Sequence, residues 1–312
     1  MLIVLFLASR RPTVIFAPAA VPSVAPAGDA SGTAEAPLPT ADAGPPPEVK
    51  VVRVSEFPGT ADPFAAAWEK SPAVELPLQP QQTAPPFLTT ATISAIRVQA
   101  IRDDNRIGWR LSWADDSPSS IVEVSQFADA VAMQFPQVDN APFTMGGKGQ
   151  PVRLLFWKAL WQKDVDEGFQ DTKALYANAW NDLSWNDLFR GIADLPAQFK
   201  DEQLAQQWLI GLSAGNPMSG QHRTQPVEEL YAEGFGSSTH VESSTCTGRG
   251  VWKDGRWTVV VDRALDPADP LTSRWLNPNV QQQISLAVWD GSAENTGARK
   301  HWCPWMPMKI EP

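Results

Sequence analysis

From Val49 onward, apolar and polar positions alternate in short runs broken by turn residues. Ala91–Arg102 (ATISAIRVQAIR) and Arg106–Ala114 (RIGWRLSWA) both repeat with period two, which sends successive side chains to opposite faces of a strand. Asp103-Asp104-Asn105 between them supplies turn chemistry, so the pair predicts a β-hairpin. A second hairpin is predicted where Gly248–Trp252 and Arg256–Val261 flank Asp254-Gly255. Shorter β-rich runs at Val51–Val54, Ile121–Phe127, Ala130–Phe135, Val152–Trp157, Gln282–Trp289 and Met308–Glu311 complete the set. Many short strands separated by Pro and Gly turns predict a mainly β fold, an antiparallel β-sandwich. Asp171–Leu188 and Asp201–Leu212 lack β-branched runs and contain helix formers. They are read as short helices or loops inserted at about 165–212.

Residues 1–27 carry two short apolar stretches around Ser9-Arg10-Arg11, and Ser23-Val24-Ala25 offers a small-x-small cleavage site. They are read as an export signal, which places the mature protein in the periplasm. The positive charges follow the first apolar run instead of preceding it, as a misplaced start would produce. Neither stretch reaches the roughly 20 residues that span a bilayer, and no membrane span is expected elsewhere. Residues 28–48 are rich in Ala, Pro and Gly and are expected to form a disordered linker. This leaves 49–312 as the folded domain.

The chain of 312 residues is 43% hydrophobic with a net charge of −10, a globular composition with no electrostatic support for binding nucleic acid. Fourteen Trp against two Tyr suit a β-rich core, a flat-ligand pocket or a wide interface. Cys246 and Cys303 form neither CxxC nor CxxCH, which excludes covalent haem attachment and a four-Cys metal site. In an oxidising compartment they could pair, but spacing does not decide it.

No dinucleotide fingerprint, phosphate-binding loop, HExxH or Gly-x-Ser-x-Gly elbow is present, and only three His exist. Nothing resembles a nucleophile–base set, so the chain is not expected to be an enzyme by itself. Redox binding remains open. A b-type haem needs two axial side chains and an apolar pocket, and a thioether is a natural ligand. Met145, in the turn Pro142-Phe143-Thr144-Met145-Gly146-Gly147, and Met133, in a strand-like run, are candidates. Each would ordinarily be core filler.

Several segments in order resemble the haem b (gamma) subunits of type II DMSO-reductase-family molybdoenzymes. These serve nitrite oxidoreductase, chlorate and selenate reductase, and dimethylsulfide and ethylbenzene dehydrogenase. The resemblance rests on Phe127–Pro136, Pro142–Gly146 with Pro151-Val152 and Trp157-Lys158-Ala159, Asn216-Pro217, Val227–Gly236, Gly248–Arg263, and Ala287–Gly291 with Gly297–Lys300 and Trp302. It implies one haem b ligated by Met145 and Lys300. It also implies an electron relay between an iron–sulfur subunit and a soluble c-type cytochrome, within a heterotrimer whose molybdopterin subunit does the catalysis. Lys must be neutral to ligate iron, and burial favours that form. His301 adjoins Lys300 and imidazole is the commoner ligand, but strand alternation admits only one of the two to a pocket. His240 and Met133 are further fallbacks. Two other readings compete: a carbohydrate-binding sandwich using exposed Trp, and a structural subunit without cofactor.

Overall fold

The computed structural model describes residues 45–312, apart from Ala61, Asp171, residues 179–210 and scattered positions between 212 and 222. The expected export signal, most of the linker and most of the 165–212 insertion lie outside the described residues. Among the described residues fourteen strands are formed: β1 Val49–Arg53, β2 Val74–Pro77, β3 Gln79–Pro80, β4 Ala95–Arg102, β5 Arg106–Ala114, β6 Ala130–Pro136, β7 Val152–Lys158, β8 Val227–Ala232, β9 Thr239–His240, β10 Thr247–Trp252, β11 Arg256–Ala264, β12 Gln282–Trp289, β13 His301–Trp302 and β14 Met306–Ile310. A 3-10 turn spans Ala66–Lys70, and helices are α1 Ala159–Glu167, α2 Thr172–Leu175 and α3 Pro270–Trp275. No described helix is long and apolar enough to cross a membrane.

The strands build two layers. One runs β10-β11-β5-β4-β1-β14, and the other runs β12-β6-β7-β8-β9 with β13 on the free edge of β12. Strand β12 belongs to both, because Gln282–Ile284 pair with β14 while Ser285–Trp289 pair with β6. The fold is therefore a mainly β sandwich, as the alternation predicts. It is not wholly antiparallel: β1 runs parallel to β4 and to β14. Both hairpins form with the expected turns, and Gly255 at φ 72° meets the left-handed requirement of its turn.

The inward faces interlock through tryptophan. Trp109 of β5 lies 4.9 Å from Phe135 of β6, Trp113 lies 6.4 Å from Trp157 of β7, and Trp157 lies 5.0 Å from Trp257 of β11. Burying a large aromatic side chain is worth roughly 1.5–3 kcal/mol, so this cluster is a main cohesive element between the sheets. Gly250 of β10 makes room for Trp157: a Cβ there would sit 2.1 Å from the indole Cζ2. At one margin of the core, Arg153 and Arg263 bind Glu229 and Asp269 in a buried ion network.

One expected strand is corrected, and the open question of the cysteines is answered. Ile121–Phe127 forms no strand beyond one bridge between Glu123 and Gln126, and Val124 is 94% exposed. Its side chains do not alternate between a buried and a wet face. The two cysteines are separate and reduced. The Cys246 thiol donates to Glu229, while Cys303 Sγ accepts from the Leu286 N–H. Finally, β2, β3, β8, β9 and β13 carry no alternation long enough to announce them.

Candidate functional site

The outward face of the second layer carries the aromatic side chains beside which two of the sequence-predicted ligands, Met145 and Lys300, lie. Alternate residues of β6, β7 and β12 point inward: Met133, Leu155 and Leu286 share one register row and lie in the main core. Their neighbours point outward. One outward row places Ala287 beside Ala132 and Phe156, and the next places Trp289 beside Ala130 and Lys158. Small side chains thus form a floor, and large aromatic side chains form its walls. Phe156 and Trp289 pack at 5.1 Å, and Phe143 stacks on Trp302 at 4.6 Å with 9° between planes.

Met145 is brought to this face by the loop between β6 and β7. Met145 and Gly146 both have positive φ, 69° and 76°. The turn is fixed by Gly146 N–H donating to the Pro142 carbonyl and Gly234 N–H donating to the Met145 carbonyl, each at 2.8 Å. Gly146 admits no side chain, since a Cβ would lie 2.6 Å from the Gln150 carbonyl oxygen. The partly buried Met145 side chain packs in a cluster with Leu154, Leu230, Phe156 and Trp305. Trp305 Nε1–H in turn donates to the Ala141 carbonyl, which ties the loop to the C-terminal segment.

Lys300 approaches from the other side. Its backbone carbonyl accepts from Gln81 N–H, and the preceding turn is held where Trp289 Nε1–H donates to the Gly297 carbonyl. Lys300 Nζ sits 5.2 Å from the centre of the Trp289 ring and has no ion-pair partner among the described residues. Burial alone pulls its pKa down to about 8. An amine in this setting gives up its proton far more readily than a solvated lysine.

The fallbacks sit differently. Met133 is fully buried on the opposite face of β6, inside the sandwich. His301 pairs with Val288, a residue of the main core, and so lies on the inner side. Its Nε2 accepts the N–H groups of Thr92 and Ile93, so that lone pair is engaged, and burial lowers its pKa and keeps the ring neutral. His240, at the far edge on β9, is hydrogen-bonded through Nδ1 to Glu228 at 2.6 Å. The structure therefore brings Met145 and Lys300 to a common face, linked through Phe156 and Trp289.

Two groups escaped sequence reasoning. Lys158 and Arg223 converge on the outward face around Trp161; the alternation of Phe156 with Lys158 was the available signal. Asp115, Asp129 and Asp290 gather at the ends of β5, β6 and β12 with oxygens within 4.8 Å. Burial, reinforced by mutual repulsion, raises Asp115 to about 6 and Asp129 to about 7.

The ethylbenzene dehydrogenase family model matches residues 65–301. The chain belongs to the ethylbenzene dehydrogenase family. The gamma-subunit resemblance is borne out by this match together with two relatives of the expected kind. One is the chlorate reductase subunit gamma of Ideonella dechloratans, 30% identical over 273 residues, covering 84% of this chain and 85% of that protein. Another is a putative respiratory nitrate reductase heme subunit of Haloferax mediterranei, 27% identical over 269 residues, covering 85% and 74%. Among solved structures, a family 9 carbohydrate-binding module from Caldicellulosiruptor kristjanssonii in complex with glucose matches with a TM-score of 0.38 and 8% identity, covering 85% of this chain and 95% of that one. The ethylbenzene dehydrogenase family model spans both the Met145 loop and Lys300.

Proposed function

We propose that this chain is the haem b subunit of a molybdenum oxidoreductase complex of the nitrate, nitrite or other oxyanion type, with Met145 and Lys300 as the axial ligands. What supports this is a thioether clustered with Phe156 and a desolvated, unpaired amine over Trp289, the ring that packs on Phe156, beside a floor of Ala130, Ala132 and Ala287. Iron porphyrin bound there would supply one-electron transfer. The chain's own residues supply the rest. Met145 provides sulfur, which favours reduced iron and raises the potential. Lys300 provides nitrogen once its proton has left, and burial has already lowered the cost of that loss. Phe156, Trp289, Phe143 and Trp302 exclude water from the face and would flank a flat ring. Catalysis would belong to a separate molybdopterin subunit, with an iron–sulfur subunit and a soluble c-type cytochrome on either side of the relay. Export to the periplasm, with residues 1–27 as signal and 28–48 as linker, is part of the same proposal.

The chlorate and nitrate reductase relatives support an oxidoreductase subunit over a sugar-binding module. So does the placement of tryptophan: no described Trp is among the exposed large side chains, and a sugar platform requires an open ring. Visible and near-infrared spectroscopy tests the reading. The purified protein should show a Soret band and sharp α and β bands on reduction. Met145→Ala and Lys300→Ala should each abolish the low-spin, six-coordinate spectrum, while Met133→Leu should leave it in place. A folded, colourless wild-type protein that takes up no haem would refute it.

A further inference from the structure

The outward face carries a charge imbalance that Met145 and Lys300 do not use. Lys158 ends β7, two residues beyond Phe156, and its register partner Ala130 adjoins Trp289. Its Nζ lies 5.0 Å from the centre of the Phe156 ring and 4.8 Å from that of Trp161. The Arg223 guanidinium lies 4.1 Å from the same Trp161 ring. Two cations thus share one indole, and they repel: burial first, and Arg223 second, lower the pKa of Lys158.

Among the described residues only Arg223 of the two has an anionic partner, and it shares that partner with His240. Glu228 is buried, with Oε1 accepting from Arg223 Nη1 at 2.8 Å and Oε2 engaged by His240. Asp164, the other carboxylate whose field reaches Arg223, accepts from Gln170 N–H and makes no ion pair with either cation among the described residues. Lys158 has no ion-pair partner among the described residues either. Arg223 Nη2 has no hydrogen-bond partner, although the side chain is only 7% exposed. A buried guanidinium donor left idle beside an unpaired ammonium is costly unless an anion arrives. The arriving group must also suit a face whose other walls are aromatic.

We infer that Lys158 and Arg223 form a seat for carboxylate groups borne by the flat ligand of this face, namely the propionates of the porphyrin. This rests on the haem reading above. Bound there, a porphyrin would be held by Lys158 and Arg223 at its carboxylate edge, which would turn that edge toward Trp161 and β7. Charge-assisted hydrogen bonds are short and strong in such a partly buried setting.

The test compares two probes on the cofactor-free protein, haemin and haemin dimethyl ester, which has the same ring without the two charges. Affinity is read from the Soret band, and the urea midpoint of the cofactor-free form is read in parallel. Wild type should bind haemin about ten-fold or more tighter than the ester. Lys158→Met should lose about ten-fold for haemin, with little change for the ester and little change in the urea midpoint. Arg223→Gln should show the same selectivity and serves if the first variant does not fold. Equal wild-type affinity for both probes would overturn the inference while leaving the haem reading standing, and so would a variant that weakens both probes alike. Failure of wild type to bind either porphyrin would overturn both.

Discussion

Lys300 gives a sharp prediction because it should weaken the empty protein that it equips. Its pKa falls from 10.5 to about 8 through burial alone, so the folded state holds the proton less tightly than the unfolded chain does. The sign follows. Between about pH 8 and 10.5 the unfolded chain binds more protons, so stability rises with pH across that window. Below pH 8 the full penalty of a buried ammonium applies. Every tenfold loss of proton affinity corresponds to about 1.4 kcal/mol, which bounds the penalty at about 3 kcal/mol; residual solvent contact brings the expected value to roughly 1–3 kcal/mol. Lys300→Met keeps the chain length and removes the charge. The cofactor-free variant should therefore be more stable than wild type at pH 7 by that amount, and the gain should vanish by about pH 10.5. Urea denaturation of the two cofactor-free proteins at pH 7, 8.5 and 10 measures it. A variant that is less stable than wild type at pH 7, or whose advantage is independent of pH, would refute the reasoning. An amine retained against stability is what a ligand role requires, since groups kept for function often conflict with the fold around them.

Two further outcomes follow from the geometry. Gly146→Ala should destabilise the fold by about 1–3 kcal/mol, since it places a Cβ against the Gln150 and Ala232 carbonyls at positive φ; a urea midpoint equal to wild type would contradict the loop geometry. Asp115 and Asp129, raised to about 6 and 7 by burial, keep protons in the folded state that the unfolded chain releases near its ordinary value of 3.8. Stability should therefore fall as pH rises from about 4 to about 7 and then level off. Asp115→Asn should flatten part of that slope in urea melts at pH 5 and 7.5.

Part of the sandwich is legible because strands such as β5 set apolar residues on a dry face and polar ones on a wetter face. The strands β5 and β12 fall at the residues their alternation marks, and β4 differs only at its start. Strand β8 is buried on both faces despite Glu228 and Glu229, whose charges are neutralised by Arg223, Arg153 and Arg263 from distant parts of the chain. No local pattern reveals such pairing. The run at Ile121–Phe127 shows the converse: apolar residues without a partner strand remain exposed. Met145 and Lys300 are legible only through family resemblance. Their chemistry is carried by a positive-φ loop and by desolvation, and neither leaves a periodic mark. Lys158 and Arg223 are separated by 65 positions (223 − 158), and only the pairing of β7 with β8 brings them together.

The strand that serves both layers has a temporal meaning. Ser285–Trp289 can dock on β6 early, but Gln282–Ile284 gain their partner only when β14 arrives, and β14 also receives β1 from the opposite end of the domain. Contacts this distant in sequence form slowly. Lys300 lies six residues before β14, within the segment that Trp305 ties to the Met145 loop. Lys300 itself adjoins β13, which pairs with the other half of β12 and with β3, so the segment that carries it is held by strands from both ends of the domain. If the proposed ligation holds, the loop that offers sulfur and the segment that offers nitrogen come together only as these distant pairings form.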